Sequence, residues 1–145
     1  MFHKNPQNSN IFIEIQIINM ADLLNTLNNG FYPNYLIKTN ILVLLENGAN
    51  PNKTYPDGTS ALSKAIHILQ QINSCPNKNK YILGDRMTVI VALMQYGAKI
   101  TRDNEKALVE LLGEEYAVAL IEFAYHGDKT NMSFVFHIAR LIYRQ

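Results

Sequence analysis

Few residues in this chain could carry covalent chemistry. Cys75 is its single thiol, and His67 lies eight residues before it. A Cys–His nucleophile needs the imidazole in contact with the sulfur and a third group to orient the imidazole. Cys75 sits instead in the polar run Asn73-Ser74-Cys75-Pro76-Asn77, with no orienting motif nearby. It reads as an ordinary loop cysteine, and an enzyme built on Cys75 is the weakest functional reading. His3, His67, His126 and His137 show no His-x-x-x-His spacing, so no metal site is expected. His126 precedes Gly127 at an expected helix end, where a cation would meet the helix dipole favourably. No Gly-x-Gly-x-x-Gly or P-loop is present. The sequence therefore assigns no catalytic, cofactor-binding or metal-binding residue and points to a non-enzyme.

The elements that hold these residues follow from composition and periodicity. The chain has 145 residues, 48% of them hydrophobic and 17% charged, with a formal net charge of +1. That suits one domain with its own core and excludes global disorder. One cysteine excludes an internal disulfide framework and a cysteine-rich zinc site. Residues 1–100 carry +3 and residues 101–145 carry −2, too little basic excess for a phosphate track, so no nucleic-acid partner is expected. Lys78, Lys80 and Arg86, offset by Asp85, read as a solvated basic loop. Glu105, Glu110, Glu114, Glu115 and Glu122 read as a solvated helix face that could steer a basic partner. The apolar run Ile11–Ile18 is broken by Glu14 and Gln16 and is too short to span a bilayer. No membrane association is expected, and the lone thiol suits a cytoplasmic location.

The 17 Asn fall mostly in breaks, because Asn favours caps and turns over helix interiors. Residues 1–10 read as a flexible N-terminus. Ile11, Ile13, Ile15 and Ile17 alternate as a strand would, yet the same run can continue as a helix through Met20, Leu23, Leu24 and Leu27. Helical stripes then recur: Leu36 to Leu45 before Gly48, Ala61 to Leu69 before the polar break Asn73–Lys80, Met87 to Met94 before Gly97, Ala107 to Leu112 before Gly113, and Tyr116 to Ala124 before Gly127. The expected pairs are Met20–Leu27 with Tyr35–Glu46, Thr59–Leu69 with Met87–Tyr96, and Asn104–Leu112 with Glu115–Tyr125. Ile11–Ile18 and Met132–Arg144 are expected end elements, and 73–86 an insertion within the second repeat.

Two helix ends align without gaps. Val43-Leu44-Leu45-Glu46-Asn47-Gly48-Ala49 matches Ala92-Leu93-Met94-Gln95-Tyr96-Gly97-Ala98, and a weaker copy ends at Gly127. Leu44-Leu45, Gly48-Ala49, the polar step Asn50-Pro51-Asn52, the tip Asp57-Gly58, and Leu62 with Ala65 follow one another in a fixed order. In this order the chain resembles the ankyrin repeat family. Ser60-Ala61-Leu62-Ser63 stands where the family has Thr-Pro-Leu-His; Ser60 keeps the capping hydroxyl, while the Pro and the His are replaced. In the third repeat Lys106-Ala107-Leu108 stands in place of that tetrapeptide, which puts a regular finger there in doubt. The interval from Gly48 to Gly97 exceeds the family period of about 33, and the insertion supplies the excess.

The resemblance implies an all-α, ankyrin-like solenoid of about three helix-turn-helix repeats with an N-terminal and a C-terminal end element. It also implies a non-catalytic adaptor that binds a partner protein through hairpin fingers and the concave helix face. The residues it nominates are Lys53 and Tyr55 on the finger, with Ser63, Lys64 and His67 on the next helix. Tyr55 is either an aromatic anchor for the partner or a ring packed on its own neighbours. A bacterial effector acting in a host cytosol, or a viral ankyrin-like protein, would fit. The alternative is a self-associating structural protein, a homo-oligomer formed through the Phe134–Tyr143 helix. In that helix Phe134, Ile138, Leu141 and Ile142 form one stripe, and Phe136 and Tyr143 lie on another side.

Overall fold

A computed structural model describes residues 23–29, 32–128 and 132–144. They form seven helices: α1 Leu23–Leu27, α2 Asn34–Glu46, α3 Ala61–Asn73, α4 Lys80–Gln95, α5 Arg102–Leu112, α6 Glu114–His126 and α7 Ser133–Tyr143. Among the described residues the only β pairing is the single bridge Thr54–Ser60. The described residues are thus all-helical. The expected flexible N-terminus and the Ile11–Ile18 element lie outside the described residues.

Local chemistry sets the helix limits. Ser60 caps α3, its hydroxyl accepting the Ser63 N–H at 3.0 Å. Asn79 caps α4 by accepting the Ile82 N–H at 2.9 Å. Thr101 and Asn104 exchange reciprocal side-chain-to-backbone bonds at the start of α5, and Asp103 and Glu105 sit in its first turn, where the helix dipole favours acids. The two aligned Gly-Ala ends close alike. Ala49 N–H reaches Leu44 O at 2.9 Å and Gly48 N–H reaches Leu45 O at 3.1 Å; Ala98 reaches Leu93 O at 2.8 Å and Gly97 reaches Met94 O at 3.0 Å. Gly48 and Gly97 take φ of +94° and +106°, the left-handed conformation that this pair of bonds demands. Gly127 has φ −82°, so the weaker third copy in the sequence does not form the same closure.

The hairpins pack side by side. α1 lies on α2 and α3, α3 on α5, α2 on α4, α4 on α6, and α5 on α6. Asn52 ties the α2–α3 loop to the α4–α5 loop. Its amide nitrogen donates to Gly97 O and its amide oxygen accepts from Lys99 N–H, both at 2.9 Å.

α4 is the centre of the molecule. Every residue from Leu83 to Met94 is buried, so the expected one-sided stripe is a helix enclosed on all faces. Enclosure comes from α2, α3 and α6, and from α7, which packs across α4. The sequence places Met132–Arg144 as an end element after the last pair; its main neighbour is instead the central helix. Val135, Ile138, Ala139 and Ile142 are the buried stripe of α7, at the i, i+3, i+4, i+7 spacing of one helix face. Phe134 and Leu141, assigned to that stripe from sequence, are half-buried. Phe136 packs over Gly84, where a Cβ would overlap its ring. The small residue thus lets α7 approach α4.

The segment 73–86 spans the end of one helix, a loop and the start of the next. Asn73 ends α3, residues 74–79 form a short loop, and Lys80 onward is helix. Arg86 and Asp85, read as part of a solvated basic loop, are buried. The Arg86 Nε donates to Asn34 Oδ1 at 2.6 Å and one terminal nitrogen donates to Leu27 O at 3.3 Å. Asp85 pairs with Lys38 at 3.0 Å. Burial lowers the Arg86 pKa, and the Asp85 charge partly opposes that shift. A planar, multi-donor cation can satisfy the last carbonyl of α1 and the first side chain of α2 together, which explains a buried Arg here.

Candidate interaction site

The finger between α2 and α3 is a hairpin tip. Tyr55 N–H bonds Thr59 O at 2.8 Å, Gly58 N–H bonds Tyr55 O at 2.9 Å, and Ala61 N–H bonds Lys53 O at 3.2 Å. Gly58 takes φ +90° at the end of the turn. Asp57 Oδ1 accepts the Thr59 N–H at 2.9 Å. That bond, together with one from the Thr59 side chain, holds the Asp57 carboxyl below its ordinary pKa.

Beside the finger lies an open groove of about 460 Å³. Tyr55, Pro56, Asp57 and Thr59 of the finger line it, with Lys64 and His67 of α3 and Asn28 at the end of α1. Three of the nominated residues, Tyr55, Lys64 and His67, thus share one surface. Lys53 is exposed on the finger but is not among the lining residues. Ser63 points elsewhere: its Oγ accepts from Ser60 Oγ at 3.0 Å and from Asn104 Nδ2 at 2.8 Å, tying α3 to α5.

Tyr55 is committed to its own chain at one end. Its hydroxyl donates to Leu24 O at 2.9 Å and its half-buried ring packs on the core. Lys64 Nζ lies 5.8 Å from the ring centroid on the groove side. The ring therefore forms a fixed wall, with an ammonium group over its face and the exposed imidazole of His67 one helical turn along. Sequence reasoning missed the hydroxyl bond because Leu24 is 31 positions away. It also missed Asn28 and Asp57, which read only as helix-stop and turn residues.

The loop before α5 is shorter than the loop before α3 and carries no hairpin tip. Gly97 is followed four residues later by Thr101, the cap of α5, whereas twelve positions separate Gly48 from Ser60. Thr101 and Asn104 occupy on α5 the cap and third-residue positions that Ser60 and Ser63 hold on α3.

Cys75 is exposed just beyond α3, its Sγ 3.3 Å from Gln71 O. His67 lies about two helical turns back, on the order of 12 Å at 1.5 Å rise per residue. The structure does not bring the two together. Among the described residues no three His, Cys, Asp or Glu side chains converge, and no helix is long and apolar enough to cross a membrane. Comparison with family models, curated proteins and solved structures returns no match.

Proposed function

We propose that this chain is a non-catalytic, ankyrin-like interaction module that binds a partner protein through its one finger and the adjoining face of α1 and α3. The observation that carries the reading is the groove itself. Three residues nominated from sequence line it, and it joins a rigid aromatic wall to polar groups of both signs: Lys64, Asp57 and the His67 imidazole. Matching Schellman closures 49 residues apart and the Asn52 bridge between the α2–α3 and α4–α5 loops support the repeat architecture behind it. A protein surface with one acidic group and one apolar side chain suits such a groove: the carboxylate meets Lys64 and the apolar group lies on Tyr55.

The test is affinity capture with this chain as bait, compared with the variant Lys64→Glu plus His67→Glu. Both positions lie on the groove side of α3, and neither carries a bond that holds the fold. A partner retained equally by both forms would show that it docks elsewhere. Tyr55→Ala is a poorer probe, since it removes the bond to Leu24 along with the ring.

A further inference from the structure

A second groove, distinct from the finger groove, lies between the start of α4 and α7. It measures about 420 Å³ and is lined by Lys80, Tyr81, Ser133, Phe136 and Arg140. Two cations and two aromatic rings thus face one concavity, and among the described residues no carboxylate lines it. Tyr81 is 67% exposed, the highest exposure among the large hydrophobic side chains of the described residues. Lys80 Nζ lies 5.5 Å from its ring centroid. The Phe136 ring forms the floor, lying against Gly84 of α4. The acid nearest to Gly84 in sequence, Asp85, is paired with Lys38 at 3.0 Å, so it does not neutralise the cations of the groove.

The same chain carries the complementary charge. α5 and α6 meet at Gly113, with φ +86°, and the corner continues as Glu114-Glu115-Tyr116, all exposed. Glu110 is exposed one turn earlier. Residues 101–128 hold seven acids against Arg102 and Lys106, so this corner is the acidic part of the molecule. It presents two exposed carboxylates next in sequence to an exposed aromatic ring. The groove is concave, and it presents two cations beside two aromatic rings.

We propose that this groove receives the α5–α6 corner of a second copy of the chain. Lys80 and Arg140 of one copy meet Glu114 and Glu115 of the other, and Tyr116 stacks against Tyr81 and Phe136. The contact joins two different surfaces, so each copy carries both halves. Electrostatic attraction between exposed groups brings the copies together and weakens as salt shortens the Debye length. This proposal does not depend on the finger groove, which remains open to a partner.

Sedimentation at a series of concentrations tests it. At low salt the weight-average mass should climb above the 16.5 kDa of one chain, and in about 0.5 M salt it should fall back. Lys80→Glu plus Arg140→Glu should weaken association about a hundredfold, since like charges then face each other. Glu114→Lys plus Glu115→Lys should do the same. An equimolar mixture of the two variants should associate again, because each keeps the native surface the other lacks. Should a charge-swapped chain fail to fold by circular dichroism, the neutral Gln substitutions at the same four positions replace it, with losses expected in the same direction. A chain that stays monomeric at every concentration overturns the proposal, as does a mixture that stays monomeric while wild type associates. Binding of poly-glutamate in the groove without self-association would overturn the choice of occupant.

Discussion

Gly84→Ala is the change most sensitive to how α7 sits. Gly84 lies within α4, where alanine is ordinarily favoured over glycine by about 1 kcal/mol. With α7 absent from this face, the substitution would stabilise the protein by that amount. In the structure the added Cβ overlaps the Phe136 ring, and forcing a methyl group into a packed contact costs typically about 1–3 kcal/mol. The ring can swing part of the way, so the net expectation is a loss of up to about 2 kcal/mol. At this chain length that corresponds to a Tm lower by about 4 °C per kcal/mol. Phe136→Leu made in both backgrounds separates the causes. It should cost less in the Gly84→Ala background than in the wild-type chain, with a coupling of about 1–2 kcal/mol in urea denaturation. A more stable Gly84→Ala protein, with Phe136→Leu equally costly in both backgrounds, would refute the packing of α7 on α4.

Other positions test the remaining joints. Asn52→Ala removes both bonds between the α2–α3 and α4–α5 loops and should cost about 1–2 kcal/mol in denaturant melts, while Asn52→Asp keeps the acceptor to Lys99 and should cost less. Arg86→Leu strips donors from Leu27 O and Asn34 and should cost about 2–4 kcal/mol; Arg86→Lys should recover only part, because one ammonium cannot reach both acceptors as the fork does. Asp57 has a folded pKa below its unfolded value, so its support of the finger is present above the unfolded pKa and is lost as pH falls through the folded one. The Thr59 amide shift should therefore titrate with a midpoint below the ordinary Asp value, and Asp57→Asn should abolish that step.

The helix series was legible in the sequence where a local signal marked it. Gly48-Ala49 and Gly97-Ala98 encode the same closure, and Ser60 announces the start of α3. The long-range features were not legible. Lys80 to Arg86 carries Gly and charges that resemble a loop, yet Arg86 is satisfied by residues 52 and 59 positions away. α7 has an apolar stripe that any neighbour could cover, and periodicity alone does not say that α4 does. The finger groove was half legible. Tyr55, Lys64 and His67 follow from the position of the finger, whereas Ser63 was lost to Asn104, a partner 41 positions on.

The central claim is that the finger groove is where another protein docks. The direct measurement is photo-crosslinking from a genetically placed aryl azide at position 67, in the groove, against one at Glu122, exposed on α6. A captured partner should crosslink from position 67 and not from 122, and free carboxylate-bearing peptide from that partner should suppress the product. A partner that crosslinks from 122 alone would contradict the account.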